Sequence, residues 1–550
     1  MRYCVTILCA FASVVDAQSL PMAAFALPTY DIVVALDFRP ARIDVKARIT
    51  LPATNEPRNS VSFALSELFP DVRIELAGAA TRFDSVQIEK TNRPYSRAGW
   101  GTNTWRVTPN RPIPAGEPVT LLVSYRGSGD LKSFVFSLGE RVAFGAGQNS
   151  AWYPEIEEAE PHPTGRLRGL RATGDVTFVV DSDVVVYTAA RRTSSTNDGR
   201  RKTLRFRAAK PMYISFAAGP YIETNATYYL EARETARSNG TRATRVLRAL
   251  EHEFGPHPFE SFAVVEVPAS DAEQAGFAGA SADGFIMASS EFLDQPFNTE
   301  YYGHEIAHQW WGVTVRPTGA RGIWMLSEAM AQFGSLRAVE VIDGPAAAER
   351  YRRDEYPGYL GQGGKSYFRL AAAGHDGALA DLPLDGEWSR PLANSKGFMV
   401  WNALSLELGR DAFRRILSGI AVRYATSRIT WDDFLKEVSR GANRDLSWFY
   451  AQWFDRPGVP EWRVTTLGTG DAARSVVLQE SPPYQISARV DIASTRCALR
   501  KTQVLLRDER TELPSMPATC GIRSFAIDPR YEIIHWTPEL RREFAEPRRP

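Results

Sequence analysis

The sequence predicts a multidomain α+β protein in which an N-terminal antiparallel β-sandwich, a mixed α+β domain and a small C-terminal β domain follow one another. Its 550 residues, 44% of them hydrophobic, are more than one hydrophobic core organises. Strand-like segments dominate both ends of the chain, whereas helical periodicity dominates the middle. We expect a signal peptide at 1–17, domains at 18–224, 225–458 and 459–540, and a tail at 541–550.

The first 17 residues have the features of an export signal. Met1-Arg2 gives a short positive start, Tyr3 to Val15 is apolar, and Val15-Asp16-Ala17 ends in a small residue. We expect the mature chain to begin near Gln18 and to work in the periplasm or outside the cell. A buried N-terminal strand or helix is the alternative. No later stretch has the roughly 18 consecutive apolar residues of a membrane span.

Short strand-like segments follow one another from about Thr29 to Thr224. Pro, Gly, Asn and Asp separate them, and no helical period intervenes. Many strands at short spacing favour an antiparallel sandwich. The clearest segments are Tyr30 to Phe38, Arg42 to Leu51, Val119 to Tyr125 and Asp175 to Ala189.

The pattern changes after about Asn225. Ala243 to Glu253 carries apolar residues at helical spacing, and Gly255-Pro256 ends that helix. Phe262 to Val267 is a predicted strand, and helices are expected to dominate from Asn298 to Phe454. This region is therefore the α+β domain.

A third pattern begins after Pro457-Gly458. Strands are predicted at Arg474 to Leu478, Gln485 to Ile492 and Gln503 to Leu506. The basic, proline-containing tail from Arg541 to Pro550 is expected to fray.

Two of the four cysteines would remain in a processed, exported chain. Cys4 and Cys9 lie in the predicted signal, which leaves Cys497 and Cys520. One disulfide between them is the natural hypothesis, and two unpaired buried thiols are the alternative.

The charge balance argues against a nucleic-acid partner. The 65 Lys and Arg residues nearly equal the 64 Asp and Glu residues, for a net charge of +1, and no basic block stands out.

The chemistry is expected in the α+β domain, at His304-Glu305-Ile306-Ala307-His308. Asn298 or Thr299 can cap the start of a helix there, and Gly312 its end. His304 and His308 then share one helix face and can bind one metal ion, while Glu305 lies beside them as a general base. Chance would produce this motif on the order of 0.005 times in such a chain.

A third ligand is needed, and the downstream sequence limits the choice. The position that holds a third histidine in one class of such sites is Thr314, which excludes that class. Glu328 follows on an amphipathic helix, with no cationic partner at helical spacing, and is the predicted third ligand. Trp310, Trp311 and Met330 are expected to wall the site.

These residues resemble the aminopeptidase N-like zinc peptidases. Trp324 to Glu328 matches the family's Trp-Leu-x-Glu motif, although the nineteen residues between His308 and Glu328 exceed the usual spacing by one. The resemblance is specific over residues 255–335 and weaker over most of the mature chain. It implies a thermolysin-like catalytic domain that binds one zinc ion and a peptide or protein substrate.

Two departures concern groups that contact the substrate in that family. The glutamate that holds a substrate's free amine corresponds to Ala282, with Asp283 next to it on a strand and expected to point the wrong way. The tyrosine that stabilises the oxyanion corresponds to Asn394, and Tyr367 or another nearby tyrosine is a candidate substitute.

The leading hypothesis is zinc-dependent hydrolysis of peptide bonds, aminopeptidase-like, with Glu305 as general base. The alternative is an exported zinc-bearing protein of weak or no activity that binds peptide or protein partners. Intact Glu305 favours the enzyme, whereas Ala282 and Asn394 favour the alternative.

Overall fold

The computed structural model describes residues 27–94, 100–157, 169–230, 234–355, 364–425, 427–467 and 474–545. The predicted signal peptide lies outside these residues, as do residues 546–550 of the predicted tail. Within the described ranges, no helix combines the length and the apolar character needed to cross a membrane.

Alternating burial along two long strands, β1 (Thr29–Phe38) and β2 (Ala41–Leu51), begins the N-terminal core. Every second side chain points into the protein, as for Ile32, Val34 and Leu36, which have no exposed surface. The two strands pair antiparallel with Phe38 opposite Ala41, so their buried rows lie on one face of the sheet.

The remaining elements of this region are mostly short strands. They are β3 (Val61–Ser66), β4 (Val72–Gly78), β5 (Val86–Arg93), β6 (Thr102–Pro109), β7 (Val119–Ser128), β8 (Leu131–Ser133), β9 (Phe136–Leu138), β10 (Ala143–Gly145), helix α1 (Gly147–Ser150), β11 (Glu155–Ile156), β12 (Ala172–Asp181), β13 (Val185–Tyr187), β14 (Arg191–Asn197), β15 (Arg201–Met212), β16 (Phe216–Gly219), β17 (Ile222–Thr224) and β18 (Thr227–Tyr229).

Three sheets form this β-rich region. Their strand orders are β14-β15-β12-β1-β2-β7-β4, β13-β16-β10-β9-β8 and β11-β3-β6-β5. The pairing is antiparallel except between β1 and β12, which run parallel. The segment from Asp175 to Ala189, expected as one strand, is two strands in different sheets, because the chain turns at residues 182–184.

The middle region places helices against a small mixed sheet. Its elements are α2 (Glu234–Phe254), β19 (Ala263–Val267), α3 (Ala269–Gln274), β20 (Gly279–Ala282), β21 (Phe285–Ser289), α4 (Ser290–Leu293), α5 (Thr299–Ala307), β22 (Arg316–Thr318), a π-turn (Met325–Ala329), α6 (Met330–Ile342), α7 (Pro345–Arg352), α8 (Gly364–Ala372), a 3₁₀ turn (Leu379–Asp381), α9 (Ser389–Leu392), a second π-turn (Ala393–Gly397), α10 (Phe398–Leu408), α11 (Arg410–Arg423), β23 (Arg428–Thr430), α12 (Trp431–Ala442) and α13 (Ser447–Trp453).

The sheet of this region has the order β17-β18-β19-β21-β20, with β20 at one edge and antiparallel to β21. Two glycines let α5 lie close to α6. A Cβ atom on Gly303 would lie 2.8 Å from the Cα of Ser335, and one on Gly334 would lie 2.5 Å from the Cβ of Ala307. Backbone contact at this distance holds the two helices at a fixed separation.

The C-terminal region contains two three-stranded sheets, β24-β25-β28 and β27-β26-β29. Their strands and the last helix are β24 (Trp462–Leu467), β25 (Arg474–Gln479), β26 (Ile486–Ser494), β27 (Arg500–Leu506), β28 (Arg510–Glu512), a 3₁₀ turn (Ala518–Cys520), β29 (Ile522–Ile527) and α14 (Pro538–Ala545). The expectation of a frayed tail is wrong for residues 541–545, because these continue α14.

The core of the C-terminal region is continuous with that of the helical region. The rings of Trp453 and Tyr484 lie 5.0 Å apart, and those of Phe368 and Trp536 lie 4.5 Å apart. The guanidinium Nε of Arg352 also donates to the carbonyl of Tyr531 at 3.0 Å. These contacts dock the terminal sheets firmly on the helices.

A disulfide joins Cys497 and Cys520, as the sequence predicted. It links the chain after β26 to the chain before β29, two strands that pair with each other. Closing a loop of this size, 23 residues in sequence separation, stabilises a fold by about 3 kcal/mol in the chain-entropy treatment.

Replacing both cysteines by serine should therefore lower the free energy of unfolding of the C-terminal region by about 3 kcal/mol. Urea unfolding of the wild type and the double variant measures the change. The wild type treated with a thiol reductant should unfold like the variant. An unshifted transition in the variant would contradict the stabilising role of the bond.

Candidate metal centre

The predicted histidine pair lies at the end of α5. The side chain of Asn298 accepts a hydrogen bond from the backbone N–H of Tyr301 at 3.0 Å and caps the helix start, as predicted. The helix ends at Ala307 rather than near Gly312, because the chain turns after His308 and the N–H of Gly312 bonds to the carbonyl of Val315. His304 and His308 remain one turn apart on the same face.

Glu328 lies in the first π-turn, immediately before α6. A π-turn closes hydrogen bonds five residues apart, is rare, and is frequent at functional sites. The glycine contacts between α5 and α6 hold this turn against the histidine helix. The two elements thus bring Glu328 to histidines that lie twenty and twenty-four positions earlier in the chain.

His304, His308 and Glu328 converge with metal-binding geometry. The two Nε2 atoms are 3.1 Å apart, and the carboxylate oxygens of Glu328 lie 3.5 Å from Nε2 of His304 and 3.8 Å from Nε2 of His308. Ligands about 2 Å from a tetrahedral ion lie roughly 3.3 Å from one another. The three side chains therefore fit one small tetrahedral metal ion.

The outer nitrogens of both imidazoles are bonded to oxygen acceptors. Nδ1 of His304 lies 2.7 Å from Oε1 of Gln332, and Nδ1 of His308 lies 2.9 Å from the carbonyl of Trp311. The amide nitrogen of Gln332 donates to Glu300 and Tyr351, which fixes Oε1 as the acceptor. Each Nδ1 thus carries the proton, and each Nε2 offers a lone pair to a metal.

The charges at the centre suit a cation. Burial opposes ionisation of Glu328, but Arg390 and the hydrogen bond with His304 outweigh it, so the pKa of this carboxyl lies well below its usual range. Burial and the neighbouring His304 lower the pKa of His308. Burial also acts against protonated His304, but Glu328 reverses the effect and raises its pKa. A bound cation would take the place of that proton.

Glu305 lies beside the cluster and outside the set of three ligands. One residue beyond His304, its side chain is rotated by about 100° around α5. The hydroxyl of Ser281 on β20 lies 2.9 Å from Oε2 of Glu305 and 2.7 Å from its backbone carbonyl. Ser281 therefore ties the edge strand to the predicted base.

Asn394, the counterpart of the family's tyrosine, lies at the centre but contacts Glu328. It lies in the second π-turn, and its amide nitrogen donates to Oε2 of Glu328 at 3.2 Å. Tyr367 does not take over the tyrosine's place, because its hydroxyl donates to Asp376 at 2.7 Å and its ring lies beside buried Lys396.

Neither Ala282 nor Asp283 offers a carboxylate that could bind the free amine of a substrate. Ala282 is apolar and buried. Asp283 is fully buried, accepts a hydrogen bond from the N–H of Tyr213 at 2.8 Å, and faces Arg171 at 3.8 Å. Asp283 therefore points away from the site as expected, but it lies in the turn after β20 and not on the strand.

The expectation that Trp310, Trp311 and Met330 form an apolar wall of the site is wrong. The rings of Trp310 and Trp311 are buried in the core, where both pack on Phe254. Only the backbone carbonyl of Trp311 reaches the centre, through His308. Met330 is fully buried as well. None of the three lines an accessible cleft.

Sequence reasoning missed the partners Arg390, Gln332 and Ser281. Arg390 donates to Glu328 at 2.9 Å although the two residues are 62 positions apart in the chain. Glu328 therefore has a cationic partner, even though the sequence shows none at helical spacing. Gln332 lies four residues after Glu328, on the first turn of α6, a spacing that could have identified it. Ser281 gave no local signal.

Comparison with known sequences gives distant matches. No protein-family model matches the chain. "Probable aminopeptidase 1" of Sulfurisphaera tokodaii is 23% identical over 175 residues, which are 30% of this chain and 20% of that protein. "Leucyl aminopeptidase" of Saccharolobus solfataricus is 24% identical over 182 residues, 31% of this chain and 21% of the relative. The chain thus spans about a fifth of the length of these curated relatives.

Comparison with solved structures covers far more of the chain. A point mutant of the M1 zinc metallopeptidase from Deinococcus radiodurans, bound to a Tyr-Ser-Ala substrate, matches with a TM-score of 0.56 and 18% identity. The match covers 79% of this chain and 96% of that one. The unmutated enzyme matches with a TM-score of 0.53, 19% identity and coverage of 78% and 94%. The chain has the multidomain α+β fold of these metallopeptidases.

Proposed function

We propose that this protein is an exported zinc peptidase that hydrolyses peptide bonds, with His304, His308 and Glu328 as ligands of one zinc ion and Glu305 as general base. The observation that carries the proposal is the convergence of two imidazole Nε2 atoms and one carboxylate, next to a second carboxylate that the metal does not need. A purely structural zinc site has no use for such a base.

The roles of the side chains follow from their contacts. Zinc, when bound, supplies a Lewis acid that polarises a carbonyl and makes water more acidic. Glu305 accepts the proton of the attacking water and returns it to the leaving amine. Ser281 holds the carboxylate of Glu305 in place, while Gln332 and the Trp311 carbonyl keep the imidazoles in the metal-binding tautomer.

The names of the relatives support an aminopeptidase-like reaction. Position 282 holds alanine, so the side chain there offers no carboxylate to a free amine. Export is supported by the apolar N-terminal segment and by the disulfide between Cys497 and Cys520, a bond typical of oxidising compartments.

Elemental analysis combined with peptide turnover tests the proposal. We expect one zinc ion per chain and zinc-dependent cleavage of peptides. Matched peptides with free and acetylated N-termini then identify the class. Release of single residues from free N-termini alone indicates an aminopeptidase, whereas cleavage indifferent to acetylation indicates an endopeptidase.

The second candidate is a zinc-bearing protein that binds peptides or proteins without cleaving them. Ala282 and Asn394 favour it, because both replace groups on which the resembling enzymes rely. Stoichiometric zinc without turnover of a broad peptide library would select this candidate and reject the peptidase.

A further inference from the structure

Arg390 is a cation at the metal centre to which the proposed reaction gives no role. It lies on the short helix α9, one turn before Asn394, and its Nε donates to Oε2 of Glu328 at 2.9 Å. Its side chain is 53% exposed, whereas that of Glu328 is 15% exposed. The guanidinium therefore lies at the boundary between the buried ligands and the solvent from which a substrate arrives.

Metal binding does not explain an arginine at this place. A cation that hydrogen-bonds a carboxylate ligand withdraws charge from it and repels the incoming metal ion. The pair joins a half-exposed guanidinium to a mostly buried carboxylate, and ion pairs that reach solvent contribute only about 0–1 kcal/mol to stability. Helping Glu328 to hold a metal and stabilising the fold are thus both weak reasons for Arg390.

The donors of Arg390 are only partly used. A guanidinium carries five N–H donors in a planar fork that matches a carboxylate. Among the described residues, Glu328 alone accepts a hydrogen bond from Arg390, and Nε makes it. That bond fixes the orientation of the guanidinium plane and leaves the Nη groups of Arg390 for another acceptor.

The charges around the centre favour an anionic group of the substrate. Among the described residues, the carboxylates at the centre are Glu328 within the cluster and Glu305 beside it, and each already has a task. The edge strand that touches Glu305 offers Ala282, while the carboxylate of Asp283 is directed to Tyr213 and Arg171. A substrate amine thus finds no described carboxylate of its own, whereas a substrate carboxylate finds Arg390.

We infer that Arg390 binds a carboxylate of the substrate next to the scissile bond, so that the site prefers peptides with acidic character there. The carboxylate can be an Asp or Glu side chain or the C-terminal carboxylate of a short peptide. This inference rests on the proposed peptidase function and assigns it a substrate class.

Paired peptides test the inference. One pair carries Glu or Gln beside the cleaved bond, and a second pair has a free or an amidated C-terminus. For the wild type, kcat/KM should be about tenfold higher for the acidic member of at least one pair, as expected for one charge-assisted contact. The pair that shows the preference identifies the source of the carboxylate.

The Arg390→Gln variant should reduce the ratio of kcat/KM for the acidic peptide to kcat/KM for the neutral peptide to about one. Arg390→Lys should retain part of this preference, because lysine keeps the positive charge but lacks the planar fork of donors. A ratio of two kcat/KM values does not change with the fraction of protein that holds zinc, so weakened metal binding in the variants does not confound it. Arg444→Gln is the matched control, since Arg444 is about equally exposed and pairs with Glu407 on the surface. It should keep the wild-type ratio.

Calorimetry gives a readout that does not depend on turnover. Zinc-loaded Glu305→Gln protein should bind the acidic peptide about tenfold more tightly than the neutral one, and adding Arg390→Gln should abolish the difference.

Three outcomes decide the question. A wild-type ratio near one, with clear turnover, overturns the inference and leaves the peptidase intact. An equal loss of kcat/KM for both peptides of a pair in Arg390→Gln also overturns the inference, and shows instead that Arg390 acts on the reacting oxygen. Absence of any turnover by the wild type rejects the proposed function itself.

Discussion

Glu305→Gln is expected to lower kcat about 1000-fold while the protein keeps one zinc ion per chain. A positioned general base contributes about 100- to 10,000-fold to such reactions, and an amide cannot accept the proton of water. The substitution preserves the shape of the side chain and its contact with Ser281 on β20. Glu305 is not among the three converging ligands, so the metal should stay.

Steady-state kinetics and elemental analysis on the same preparation check this result. Glu291→Gln, at an exposed position on the neighbouring helix α4, is the control and should match the wild type in both measurements. Loss of zinc together with activity would show that Glu305 helps to hold the metal. Retained activity would remove Glu305 from the mechanism.

Glu328→Gln should weaken zinc binding by more than about 100-fold and abolish turnover at limiting zinc. Even partners that only orient a metal ligand change affinity about 10- to 100-fold when lost, and this change removes the anionic member of the proposed ligand set. The guanidinium of Arg390 would then lack its carboxylate partner and add an uncompensated positive charge at the centre.

Titration of metal-free protein with zinc measures the affinity. Glu340→Gln is a suitable control, because Glu340 lies on α6, the helix that follows the π-turn of Glu328, and pairs with Arg337 and Arg410 rather than with the histidines. It should bind zinc like the wild type. Unchanged affinity in Glu328→Gln would exclude Glu328 as a ligand.

The regular parts of the fold were predictable because they follow from local patterns. Alternation of apolar and polar residues marks β1 and β2 within one residue of their observed limits. The motif from His304 to His308 fixes a shared helix face by its spacing alone, and Asn298 marks the start of that helix. These features depend on neighbours in the chain.

The parts that escaped prediction depend on the tertiary structure. Arg390 meets Glu328 only because α9 lies beside the first π-turn, and Ser281 meets Glu305 only because β20 lies at the sheet edge beside α5. The segment from Asp175 to Ala189 divides between two sheets at a turn that its apolar composition hides. Helix α5 stops at Ala307 because the chain that follows forms a turn with its own hydrogen bonds, such as the one from the N–H of Gly312 to the carbonyl of Val315.

The two π-turns make the centre sensitive to the number of residues as well as to their identity. Glu328 and Asn394 each lie in one, and a Cβ atom on Gly397 would lie 2.7 Å from the Cβ of Ala329, so the turns touch. A π-turn contains one residue more than an α-turn, which rotates the following side chains by about 100°. Deleting a single residue from either turn would restore an ordinary helix and aim these groups elsewhere. Sequence comparison at this site must therefore count gaps as carefully as substitutions.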